Sequence, residues 1–243
     1  MSTPINTDIT SQILAKSLTS STTQAVKTME ALSSGKKIDD QDNAANLEIS
    51  DMAQSQLSGS SVASENSQEG VNVLQTADSG LSSIQDNLQQ IRDLSLQAAN
   101  GTYNQNDKSA IAQQISQLTD QINNTSKTTS FNNQNLLDGS STGMTIQTGA
   151  NSDSSQNSVN IGSALASSNA SSLNLPTGDD LKTALASSKG AASLISNIDS
   201  AISSVSTQRA SVSSYQNTLT SNIDNLSVQQ SNLAASKSTI TDT

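Results

Sequence analysis

Apolar or small residues recur at steps of three and four along one stretch of the chain: Gly70, Leu74, Ala77, Leu81, Ile84, Leu88, Ile91, Leu94 and Ala98. A repeat averaging 3.5 residues keeps one narrow stripe of an α-helix turned toward a partner helix along its length. Pro4 and Pro176 are the only prolines, so no strict breaker interrupts a helix between them. The spacing predicts a helix from Ala44 to Ala98, roughly 80 Å long at 1.5 Å per residue. Asn100-Gly101 follows, a pair that tolerates a left-handed helix cap.

The same repeat returns twice. Ile111, Ile115, Leu118 and Ile122 mark a second helix, from about Asp107 to Ser126, with the Asp107 carboxylate at its start to receive free backbone N–H groups. A third, from about Asp179 to Ile240, steps strictly by three and four through Ile195, Ile198, Ile202, Val205, Arg209, Val212, Gln216, Leu219, Ile223, Leu226, Gln230, Leu233, Lys237 and Ile240. Its polar seam members, Arg209, Gln216, Gln230 and Lys237, cost stability and can set register and partner. A weaker stripe at Ile9, Ile13, Ala25, Met29 and Leu32 predicts an N-terminal helix from about Ile5 to Ser34, ended by Gly35.

Between the second and third repeats the period changes to two. Met144–Thr148 and Ser158–Ile161 alternate around the turn-rich Gly149–Asp153, which predicts a β-hairpin. Residues 163–180, rich in Ser, Asn and Gly, read as a short surface linker without a core of its own. The expected fold is mainly α: an elongated antiparallel long-helix bundle or coiled coil with a small β-hairpin region at about 131–162. Residues 1–38 form a terminal segment and residues 39–240 a rod-like helical domain.

Composition narrows the function. Hydrophobic residues make up 32% and aromatics 1%, well below a typical globular domain, so the apolar side chains must serve in thin seams. The chain has no Cys, His or Trp. That removes disulfides, thiolate and imidazole metal ligands, and the side chain best suited to proton transfer near neutral pH. Serine is abundant, but catalytic serine needs a base, and neither a GxSxG elbow nor a Gly-rich phosphate loop is present. Asp39, Asp40 and Asp42 lack the 12-residue loop that binds calcium and read as caps for the following helix. Met29, Met52 and Met144 read as packing residues. The expectation is a protein with no catalytic, cofactor-binding or metal site. A net charge of −10 speaks against a nucleic-acid partner and against an anionic membrane surface. No run of apolar residues is long enough to span a bilayer, and the first 30 residues hold no cleavable signal core.

Several motifs, in order, resemble bacterial flagellin. They are Ile5-Asn6-Thr7; Leu32-Ser33-Ser34-Gly35-Lys36-Lys37-Ile38 with the acidic stretch after it; and Asn87-Leu88-Gln89-Gln90-Ile91-Arg92-Asp93-Leu94 continuing to Asn100. Phe131-Asn132, Leu136-Leu137-Asp138-Gly139 and Ile146-Gln147-Thr148-Gly149-Ala150-Asn151 follow, then Gln208-Arg209 and Gln216-Asn217. The resemblance covers nearly the whole chain. It implies a filament subunit that leaves the cell without a cleaved signal, through the flagellar type III export apparatus, and assembles beneath a filament cap into an extracellular helical homopolymer. It also implies a terminal layer of paired N- and C-terminal helices outside which three long helices and a hairpin lie. The connection between hairpin and last helix is short, as in a minimal flagellin without outer domains. The family's C-terminal helix would follow Thr243, so the helix in 1–38 is expected to lack its partner here.

On the reading of the residues themselves, seam packing falls to Leu74, Leu81, Ile84, Leu88, Ile91, Ile111, Ile115, Leu118, Ile122, Ile198, Ile202, Val205, Val212, Leu219, Ile223 and Leu226. The resemblance places Gln90, Arg92, Leu94 and Gln114 on a subunit surface that an innate immune receptor recognises. Gln90 and Gln114 replace charged residues of strongly stimulating relatives, so weak activation is expected. Two other readings are a hook–filament junction protein and a flagellin-like surface binding protein. The second is disfavoured because only Tyr103, Phe131 and Tyr215 supply aromatic contact area.

Overall fold

The computed structural model describes residues 6–36 and 44–242. Helix α1 spans Asn6–Ser34, α2 Ala44–Ala99 and α3 Gln105–Thr128. Strands β1 (Ser130–Phe131), β2 (Gln134–Asn135) and β3 (Thr145–Gln147) follow, then the single turn α4 (Ser154–Asn157) and β4 (Ser158–Asn160). Helices α5 (Gly178–Ala186) and α6 (Ser188–Thr241) complete the chain. Among the described residues no helix is long and apolar enough to cross a membrane.

The chain groups into two compact units. One holds Met1–Ser61 with Val228–Thr243, the other Val62–Ser227. The break expected at residue 38 lies outside the described residues. In the first unit, Lys36 and Asp242 form an isolated antiparallel bridge, and Lys237 Nζ donates to Gln54 Oε1 at 2.5 Å. Helix α1 ends where Gly35 turns to a φ of 69°. Its apolar stripe is open: Ile9, Ile13, Leu14, Leu18, Val26, Met29 and Leu32 are all exposed, Ile13 at 64%. Met29 and Met52 are exposed within this chain, whereas Met144 is half-buried against the core of the other unit. Ile5 and the proposed caps Asp39, Asp40 and Asp42 lie outside the described residues.

The second unit carries the core. Leu74, Leu81, Ile84, Leu88 and Ile91 of α2 are fully buried with Ile115 and Ile122 of α3, and with Leu136, Leu137, Ile161, Leu165 and Leu181. Each such side chain contributes about 1.5–3 kcal/mol through burial. Helix α2 runs antiparallel to α6, since partners of rising number on α2 fall in number on α6: Ser67 meets Asn222, Asp78 meets Arg209 and Arg92 meets Asp199.

Helix ends follow from local side-chain bonds. At the end of α2 neither Asn100 nor Gly101 adopts positive φ. Instead the Asn100 side-chain oxygen accepts the Thr102 N–H at 3.1 Å, which replaces the left-handed cap expected there. Helix α3 starts two residues before the predicted Asp107. Its cap is Asn104, whose side chain accepts from the Asn106 and Asp107 N–H groups, while the Asp107 carboxylate accepts the Asn104 N–H. This reciprocal box is worth about 1 kcal/mol.

The hairpin pairs as predicted, antiparallel with Ile146 opposite Val159, both half-buried against the core. A second, smaller hairpin joins β1 to β2. Its turn is Asn132-Asn133, both at positive φ, which matches the twist of paired strands and suits asparagine.

Two expectations change. The last long helix is broken at Ser187, an extended residue. Leu181 and Leu185 are buried, but one residue out of phase with the Ala191, Leu194 and Ile198 line. The break lets both sets face inward, with α5 packed on α3. The segment 163–180 is not a coreless linker: Ala164, Leu165, Ser168, Ala170, Leu173 and Leu175 are buried. Its backbone is satisfied by local turns, by a bond from Ser168 N–H to the Leu137 carbonyl, and by two side chains from elsewhere. Gln208 Nε2 donates to the Ala164 and Ala166 carbonyls, and Asn123 Oδ1 accepts the Ala170 N–H.

Candidate functional site

The seam is where the chain concentrates its specific chemistry, because among the described residues no cluster of three or more His, Cys, Asp or Glu could hold a metal ion. Among the described residues, three shallow grooves are lined mainly by Ser, Thr, Asn and Gln, with a few aliphatic side chains such as Leu94 and Leu118.

Most predicted seam residues are buried: Leu74, Leu81, Ile84, Leu88, Ile91, Ile111, Ile115, Ile122, Ile198, Val205, Val212, Leu219 and Leu226. Leu118, Ile202 and Ile223 are only half-buried. On α6 the buried line recurs every seventh residue from Ile198 to Leu226, with Ala191, Leu194 and Ala201 beside it. The alternate positions Ile202, Arg209, Gln216 and Ile223 flank the seam. On α2 the buried line steps strictly by three and four from Ser60 to Ala98 and passes through Ser95 rather than Leu94. On α3 it passes through Thr119 rather than Leu118. Ser95 lies seven residues from Leu88 and Thr119 seven from Ala112, so both keep the strict 3.5 repeat from which Leu94 and Leu118 depart by one residue.

Serine at seam positions was the signal missed. Ser67 donates to the Ala63 carbonyl and accepts from Asn222 Nδ2, and Ser95 donates to the Ile91 carbonyl. Ser60 is fully buried, and its hydroxyl alone among described buried side-chain polar atoms lacks a hydrogen-bond partner. Gln208 was also missed as an anchor. Its Oε1 accepts from Ser168 Oγ at 2.8 Å while its amide holds the neighbouring carbonyls. Nothing in the periodicity of α6 marks it.

The two arginines both bridge α2 and α6. Arg209 Nε and Nη2 donate to the two carboxylate oxygens of Asp78 at 2.8 and 3.3 Å, and Nη1 donates to Gln85 Oε1 at 2.8 Å. Arg92 Nε donates to Asp199 Oδ1 at 2.6 Å in a more exposed setting. Hydrogen bonding to these carboxylates holds both guanidinium groups above their ordinary pKa. We expect Arg209→Met to cost about 2 kcal/mol, because it leaves Asp78 and Gln85 half-buried without their donor. A double-mutant cycle with Asp78→Asn, read by denaturant unfolding, checks this; additive single effects would contradict it.

The surface quartet is split. Gln90, Leu94 and Gln114 line one groove between α2 and α3, with Asn87, Gln117 and Leu118. Arg92 turns to α6 instead. Leu94 and Leu118, the two residues displaced from the seam, meet in this groove.

Residues 5–142 match the model of the bacterial flagellin N-terminal helical region, and residues 195–243 that of the C-terminal helical region. Polar flagellin F of Vibrio parahaemolyticus is 38% identical over 151 residues, 62% of this chain and 40% of that protein. A flagellin of Clostridium tyrobutyricum is 38% identical over 141 residues, 58% of this chain and 37% of that protein. The chain thus spans about two fifths of the length of these curated relatives. The crystal structure of Bacillus cereus flagellin superposes with a TM-score of 0.55 at 31% identity, covering 71% of this chain and 94% of that one.

Proposed function

Because this chain belongs to the bacterial flagellin family, we propose that it is a structural subunit of the flagellar filament, self-assembling into a helical homopolymer that serves swimming motility. The exposed apolar stripe of α1 carries the proposal. Seven large aliphatic or thioether side chains on one helix are left in solvent, a surface that favours burial against further protein. The seam of the second unit supplies a stiff body, and its half-buried polar flank fixes how α2 and α6 meet. In this reading the chain has no catalytic role and needs no cofactor. Its partners are further flagellin subunits, the type III export apparatus and the filament cap, and its place is outside the cell. Recognition by an innate receptor would fall on Gln90, Arg92, Leu94 and Gln114, weakly, since Gln90 and Gln114 carry no charge and Arg92 is already paired.

The test is expression of the complete reading frame in a motile bacterium deleted for its own flagellins. Long filaments and restored swimming are expected. Leu18→Asp should be exported yet give no filament, because it sets a charge in the exposed stripe. Short stubs at the hook would point to a junction protein instead, and filaments of full length from Leu18→Asp would remove the role given to α1.

A further inference from the structure

The turn between α2 and α3 contains Asn100-Gly101, the one asparagine–glycine pair in the chain. Both residues are exposed, and nothing lies within 4 Å of the position a Gly101 side chain would take. The Asn100 side-chain oxygen accepts the Thr102 N–H at 3.1 Å. That bond folds the side-chain amide over the Gly101 peptide and polarises the carbonyl at Cγ. We infer that Asn100 is a site of spontaneous deamidation, converted by its own backbone to a mixture of aspartate and isoaspartate.

The chemistry needs only water. A solvent base takes the Gly101 amide proton, and the Gly101 nitrogen attacks Asn100 Cγ. The new N–Cγ bond forms as the Cγ–Nδ2 bond breaks, and Nδ2 leaves as ammonia after taking a proton from solvent. One water then opens the cyclic imide at either carbonyl. Opening at Cγ gives aspartate; opening at the main-chain carbonyl gives isoaspartate. Nothing is oxidised or reduced.

Competing sites are less favourable. Asn66 and Asn124 lie inside α2 and α3, where the ladder engages the backbone N–H groups. Asn151 is exposed, but its successor Ser152 has a Cβ that crowds the attacking nitrogen. Asp138-Gly139 has the permissive glycine. However, the Asp138 carboxylate accepts bonds from the Ser140 N–H, Ser140 Oγ and Asn135 Nδ2, which hold it below its ordinary pKa. An ionised carboxylate offers no leaving group.

The product matters to the turn. A new carboxylate at the C-terminal end of α2 meets the negative end of the helix dipole. Isoaspartate adds a backbone carbon to the connection that places Tyr103 Oη against Gln97 Nε2 at 2.8 Å and sets the Asn104 cap. The full chain, held at mildly alkaline pH and mapped by peptide mass spectrometry, is expected to convert at Asn100 ahead of Asn151, faster as pH rises. A methyltransferase specific for isoaspartate should label the same peptide. Gly101→Ala, which fits the open space, should largely abolish the conversion while circular dichroism stays unchanged. Gly101→Ala converting as fast as the parent, or Asn151 reacting before Asn100, would overturn the inference.

Discussion

Leu88→Asp is expected to unfold the second unit. Leu88 is 0% exposed, between Ile84 and Ile91 on the buried face of α2. Removing the leucine side chain alone costs about 3–5 kcal/mol in a core that cannot collapse to fill the space. The aspartate adds a charge in an apolar setting. The nearest cation along the helix, Arg92, is already bonded to Asp199. The total falls within the 5–15 kcal/mol that usually holds a domain folded. Ile202→Asp serves as the contrast. Both positions look alike in the repeat, yet Ile202 is half-buried on the flank, so its aspartate can reach water and should cost about 1–2 kcal/mol. A far-UV circular dichroism melt distinguishes them: loss of the cooperative transition for Leu88→Asp, a lowered midpoint for Ile202→Asp. A Leu88→Asp protein that melts like the parent would refute the seam as the source of stability.

Gly162→Ala is the second large effect. A methyl group there would sit 2.1 Å from the Thr142 carbonyl oxygen, 2.3 Å from its carbon and 2.8 Å from the Ser141 oxygen. These are backbone atoms and cannot rotate aside. The same residue donates its N–H to the Met144 carbonyl and to Asn160 Oδ1, so it cannot back away without losing bonds. The close approach pins the 141–144 segment to the exit of β4. Overpacking of this kind costs about 1–3 kcal/mol and often more against rigid neighbours. Gly143→Ala, with nothing within 4 Å, should stay within about 0.5 kcal/mol of the parent. Denaturant midpoints for the pair measure the difference; equal midpoints would show that the approach is not limiting.

How much of this was legible depended on whether period or partner decided the outcome. The length of α2 and the β3–β4 pairing follow from spacing, because solvent and one packed face impose a regular alternation. The Leu94/Ser95 and Leu118/Thr119 exchanges were hidden by residue type: Ser95 and Thr119 keep the heptad step from Leu88 and Ala112, but a polar residue beside a leucine does not read as a seam member. The core of 163–180 was invisible for a different reason. Its buried residues are irregularly spaced, and part of its backbone is met by Gln208 and Asn123, which lie 42 or more and 47 residues away in sequence. Ser187 shows the limit from the other side. A helical pattern can be continuous in the sequence while two leucines out of phase compel a break. Arg209 and Gln90 illustrate the difference for the candidate surface. The polar interruption at Arg209 was readable, its partner Asp78 was not, and the separation of Arg92 from Gln90 required the geometry of α6.

A stripe repeating every seven residues has a weakness: sliding one helix along its neighbour by a full heptad restores nearly the same greasy contact. Leucines alone would leave α2 and α6 with several almost equivalent settings. The two guanidinium ties are anchored on opposite helices, Arg92 on α2 and Arg209 on α6. Any such slide strands both at once, and a single translational setting remains. Two cations thereby give a low-friction apolar track one fixed stop.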